Sequence, residues 1–220
     1  MAADRPDEIR AGVDLYWIPL GAGDAFFTVR WSGRAYEALV AHREHRARRE
    51  LFHSALEVRL DGHRHVIEMA PVWRTRGDRG VVATGPVGLR PLGRSALFRY
   101  EVRRWRDGVI PDLAAAVDSP RRISDDSTHA RRVLDLAPLF PCRTWGRDEL
   151  GVGDMWNSNS LTSWLLAASG HELAGLGPPG GGRAPGWSAG LVAARQQRER
   201  DDPRSRRGAL MDFALGRSSV

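Results

Sequence analysis

The chain of 220 residues contains no lysine; all 33 of its basic side chains are arginine. Together with abundant alanine, glycine and proline, this has the look of a GC-rich coding sequence, so the formal charge of +6 says little about function. Cysteine is nearly missing as well. A single Cys142 excludes an internal disulfide framework and a cysteine-built zinc site, and it fits a reducing compartment. No run approaches the roughly 18 apolar residues of a membrane span. The opening MAADRPDEIRAG lacks the basic-then-apolar order of a signal peptide. The expectation is a cytoplasmic chain with no membrane span. The glycine runs over 85–88 and 177–182 are not followed by Lys-Ser/Thr, so they are not phosphate loops, and no cofactor is expected. Arginine clusters at 46–49 and 204–207 read as solvated faces, which makes nucleic acid an unlikely partner.

What is present suffices for one domain. Hydrophobic residues make up 42% of the chain, enough for a core at this length. The domain is expected over 1–195. The remainder, 196–220, reads as a basic, disordered tail because RERDDPRSRRG has nothing to bury. Strands are expected over 13–20, 26–31, 51–60, 65–69, 80–87 and 96–105. The pair 51–60 and 65–69 is joined by Asp61-Gly62, the strongest short hairpin signal in the chain, and Pro71 closes it. A helix is expected over about 34–48, a short one over 112–117, and a longer one over 127–136 that ends before Pro138. The best-defined helix, 157–169, is apolar at Leu161, Trp164, Leu165 and Ala168 and stops at Gly170. The stretch 177–186 is a glycine-proline loop, either lid or linker. The fold class is therefore α+β, an antiparallel sheet packed against helices.

Three segments carry chemistry. His53 opens FHSALEV, Glu68 sits in VIEMAP, and Ser158 lies in WNSNSL. A histidine and a carboxylate on adjacent strands of a hairpin can share one face, where the acid would fix the imidazole tautomer. A hydroxyl at a helix N-terminus gains from unpaired N–H groups that also serve as an oxyanion hole. Base, orienter and nucleophile would come from strand, strand and helix start, the general form of an activated nucleophile.

These segments, in this order, resemble the circularly permuted papain-like (NlpC-type) superfamily, including its lecithin:retinol acyltransferase-like members. His53 to Val58 matches a strand of the form H-x-A-hydrophobic-x-V, and Asp61-Gly62 matches the turn that follows. Glu68-Met69-Ala70-Pro71 matches the second strand, and Asn157 to Leu161 the helix that carries the nucleophile. The resemblance covers about residues 51–170. It implies a papain-like fold and a hydrolase or acyltransferase acting on an amide or ester of a peptide or other small molecule. Ser158 would attack, His53 would act as base and then acid, and Glu68 would orient it. Asn157 and Asn159 would support the oxyanion. The chain departs from the family in holding Ser158 where the family carries cysteine, with Cys142 outside the motif. A serine needs its proton removed by His53 in the transition state, so the alternative is a catalytically inactive fold kept as a binding module.

Each residue has a plainer role available. Ser158 stands among four consecutive residues suited to capping, Asn157 to Ser160. His53 can be a histidine satisfied in a half-buried strand, and Glu68 an edge-strand carboxylate. Trp145 and Trp156 flank the helix start, as groove walls or as core. His53, His63 and His65 lack accompanying carboxylate or cysteine spacing, so no metal site is expected.

Overall fold

The computed structural model describes residues 10–21, 45, 47–72 and 79–202. Within them the strands β1 (Gly12–Pro19), β2 (Phe52–Leu60), β3 (His63–Pro71), β4 (Val81–Pro86), β5 (Arg99–Arg106) and β6 (Val117–Ser124) form one antiparallel sheet in the order β4-β5-β3-β2-β1-β6. Three α-helices follow in sequence: α1 (Ser127–Leu136), α2 (Ser158–Ala168) and α3 (Trp187–Asp201). The α+β class with helices on an antiparallel sheet agrees with the sequence reading. No helix among the described residues is long and apolar enough to cross a membrane.

The β2–β3 hairpin sets the register of the sheet. Asp61 and Gly62 both take positive φ, the backbone of a two-residue turn whose twist matches that of the strands. Leu60 then pairs with His63, and the register holds through Leu56 and Ile67. Side chains alternate across a strand, and here each face has its own cluster. Val13, Leu15, Trp17, Phe52, Leu56, Val58, Ile67, Met69, Tyr100 and Val102 face the helices and build the main core with them. Tyr16, Ile18, Ala55 and Val66 face the other way and pack with Ile110. Charge is buried on that second face: Asp14 pairs with Arg59 and Arg122, and Glu57 with Arg64.

Both sheet edges are blunted. β4 ends in Pro86 and shifts register between Val81 and Ala83. β6 contains Pro120 and shifts against β1. Proline and irregularity are the usual means of stopping edge-to-edge pairing.

Several expectations are corrected. The helix over 112–117 is a single 3-10 turn, Leu113–Ala115, and Val117 instead opens β6. Pro120 and the adjacent arginines hid that strand, because proline is tolerated only where a strand lies at an edge. The first residues of the 96–105 strand, Ala96–Phe98, form another 3-10 turn. The boundary at 196 falls inside α3, which runs to Asp201 through Gln, Arg and Glu, all good helix formers. The strand over 26–31, nearly all of the helix over 34–48 and residues 203–220 lie outside the described residues.

Candidate functional site

The start of α2 is a buried polar joint. Asn157 is its N-cap: the side-chain oxygen accepts from Asn159 N at 2.9 Å, and Asn157 N donates to Ser160 Oγ at 3.1 Å. This is a reciprocal capping box with Ser160 in the place of the usual acid. The same side chains reach outward. Asn157 Nδ2 donates to Pro185 O at 2.8 Å, and Ser160 Oγ to Gly186 O at 2.8 Å. Asn159 Nδ2 donates to Phe52 O at 2.9 Å and to Pro185 O at 2.8 Å, while its oxygen accepts from Ser54 Oγ at 2.8 Å. One turn on, Ser163 Oγ donates to Trp187 O at 2.8 Å. The Asn-Ser-Asn-Ser stretch therefore ties α2 to β2 on one side and to the entry of α3 on the other.

Asp154 completes the joint from the loop before α2. Its carboxylate accepts from Gly186 N at 2.6 Å and from Ser188 N at 3.1 Å. Gly186, the N-cap of α3, has no side chain with which to cap, so a residue more than thirty positions earlier does it. Negative charge there also meets the positive end of the helix. Burial pushes the Asp154 carboxyl above its ordinary value, against the pull of its backbone N–H partners. Close approach of the two helices requires glycine. A Cβ at Gly190 would overlap Ser163 Oγ and the Ser160 carbonyl, and one at Gly186, where φ is +93°, would overlap the Asn157 amide.

The loop over 177–186 is neither lid nor free linker. Phe52 N donates to Arg183 O at 2.8 Å and Arg183 N to Glu50 O at 2.8 Å, a short parallel bridge that straps the loop to the start of β2.

His53 and Glu68 belong to a different surface. His53 lies between Phe52, in the helix-side core, and Ser54, bonded to Asn159 of α2. By alternation it faces the opposite side, beside its register partner Ile18 of the second cluster. Glu68 lies between Ile67 and Met69 of the helix-side core, so it too faces away from α2. The sequence expectation that the two share a face is met, but Glu68 does not orient the imidazole. Its carboxylate takes Arg103 NH1 at 2.9 Å, and the same guanidinium reaches Glu101 at 3.1 Å. Burial pushes the Glu68 carboxyl up, with Arg103 pulling it down. Burial lowers His53 to about 4, which keeps the ring neutral at neutral pH.

Ser158 is half-buried in the first turn of α2. Among the described residues no hydrogen bond joins it to His53, and none joins His53 to Glu68. Strand parity thus turns His53 and Glu68 to the face of the sheet away from α2, whose first turn holds Ser158. Asn157 and Asn159, expected to support an oxyanion, spend their amides on the joint. Trp156 is core, stacked on Phe140 with ring centres 5.0 Å apart. Trp145 packs edge-on against Tyr100, while its backbone bonds to Pro86 and Gly88 and so extends β4. Among the described residues no three His, Cys, Asp or Glu side chains group as metal ligands. Sequence reasoning missed Asp154 and Ser54. Asp154 carries no local signal, because the helix it caps begins at Trp187; Ser54 could have been found by asking which residue beside His53 faces the helices. Comparison with protein-family models, with curated proteins and with solved structures finds no match.

Proposed function

We propose that this chain is a non-catalytic binding module on a papain-like scaffold, in which the residues around the nucleophile position, Asn157, Asn159 and Ser160, have become a structural joint. The scaffold reading is supported by the order of parts: a His-bearing strand, an Asp-Gly turn, a strand ending Ala-Pro, and a helix opened by asparagine. The observation that carries the non-catalytic reading is the placement of Ser158 and His53 toward opposite faces of the sheet. A general base must come within hydrogen-bond reach of the proton it takes, directly or through one water. A neutral imidazole with its titration near 4 is also a weak base for a hydroxyl.

A serine hydrolase or acyltransferase of amides or esters is the second reading. One observation favours it: among the described residues the Ser158 hydroxyl makes no hydrogen bond, although it stands at a helix N-terminus. Incubation with a fluorophosphonate probe, followed by intact-mass measurement, separates the two. The binding-module reading expects no adduct on the wild type. A single adduct that disappears in Ser158→Ala and in His53→Ala would establish the hydrolase.

A further inference from the structure

Two exposed apolar segments of opposite charge are left unused by the joint. The first spans residues 87–100, from the end of β4 into the first two residues of β5. It holds three arginines and no carboxylate, and its Leu89, Leu92, Leu97 and Phe98 are between 40% and 67% exposed. The second spans residues 107–118, which holds three aspartates and no arginine. Its Val109, Leu113 and Val117 are between 38% and 62% exposed. Scattered exposed apolar residues are ordinary, but clusters rimmed by charge mark contact surfaces.

The charges are largely unspent. Arg90 meets Glu149 at 3.4 Å and Asp107 meets Arg106 at 3.8 Å. Arg94, Arg99, Asp112 and Asp118 make no ion pair among the described residues. Arg99 Nε and Asp112 Oδ2 are buried atoms with no hydrogen-bond partner.

The two segments cannot satisfy each other within one chain. The first follows β4, at one edge of the sheet. The second leaves β5, crosses the second face where Ile110 packs with Tyr16 and Ile18, and enters β6 at the other edge. Five inter-strand gaps of about 4.8 Å put the two edges roughly 24 Å apart. Edge-to-edge strand pairing is also obstructed, by Pro86 at one edge and Pro120 at the other.

We propose that these segments are the two halves of a head-to-tail contact between copies of this chain, and this rests on the binding-module reading. Arg94 and Arg99 of one copy meet Asp112 and Asp118 of the next, while the exposed leucines and Phe98 cover Val109, Leu113 and Val117. The two halves differ, so the contact is heterologous and each copy can hold two neighbours. A contact of this kind is weakened by salt, because exposed charges are screened within about 10 Å at 0.1 M.

Sedimentation velocity of the full chain tests this. At about 50 mM salt the average mass should rise with protein concentration above the 24.4 kDa monomer, and at about 500 mM salt it should fall back. Arg94→Asp spoils only the basic half and Leu113→Arg only the acidic half. Each alone should weaken association about tenfold or more through like-charge contact, with thermal unfolding unchanged as the control for folding. Each variant keeps one intact half, so an equimolar mixture should form pairs of two chains and nothing larger. A wild type that stays monomeric up to about 1 mM, the weak end of specific binding, overturns the proposal. So does a mixture that fails to pair. Cosedimentation of a monomeric wild type with phosphatidylserine vesicles would likewise overturn it and give the basic half to a membrane surface. Probe labelling reads catalysis and sedimentation reads association, so failure of either reading is seen separately.

Discussion

His53 shows how one half-buried side chain couples to stability. Its folded value near 4 lies below the unfolded value of 6.5, so between these limits the unfolded chain takes up a proton that the folded chain refuses. The contribution is therefore complete above about pH 6.5 and is lost as pH falls toward 4. The shift corresponds to about 3 kcal/mol at the low end. His65 and His171 are also lowered, burial being the first cause for both, and they act in the same direction. Glu68 is raised and acts in the opposite sense, its contribution falling as pH rises through its folded value. Urea unfolding at steps from pH 7 to pH 4.5 should show falling stability, and His53→Gln should flatten the curve. An unchanged slope in that variant would mean that His53 is open to solvent.

At the scale of elements, the joint between α2, β2 and α3 carries the account. Asn159→Ala removes the bonds to Phe52 O and Pro185 O and leaves Ser54 without its acceptor. Buried groups left unsatisfied cost about 1–3 kcal/mol each, so a loss of about 3 kcal/mol is expected from denaturant unfolding. Ser158→Ala, one position earlier, should change stability by less than about 0.5 kcal/mol. Near-equal effects at the two positions would contradict the joint. Gly190→Ala should cost about 1–3 kcal/mol by overpacking α2 against α3, with the size read from the shift in unfolding midpoint. Asp154→Ala should cost about 1 kcal/mol, as loss of an N-cap does.

Across the whole molecule, what was legible in the sequence followed from local rules. The hairpin was written in Asp61-Gly62, α2 in the spacing of Leu161, Trp164 and Leu165, and the class in the mix of alternating and helical patterns. Strand β6 was not legible, because Pro120 argues against any strand that is not an edge, and edges are a property of the assembled sheet. Helix α3 was not legible either. Its buried face is built from Ala189, Gly190, Ala193 and Ala194, which carry no strong periodicity and matter only because α2 lies close. The expected triad does not join by hydrogen bonds among the described residues for a reason of parity: His53 and Glu68 do share a face, but a strand has two faces, and the helices pack on the one that Phe52 and Ser54 occupy. Motif order along the chain contains no statement of which face a side chain takes.

The most direct test of that division is a titration of the His53 imidazole nitrogens by NMR in the wild type and in Ser158→Ala. With the two residues facing opposite sides, His53 titrates near 4 in both, and its tautomer is the same in both. A displacement of about half a unit or more on removing the Ser158 hydroxyl, or a change of tautomer, would mean that the two side chains meet, and the non-catalytic account would be wrong.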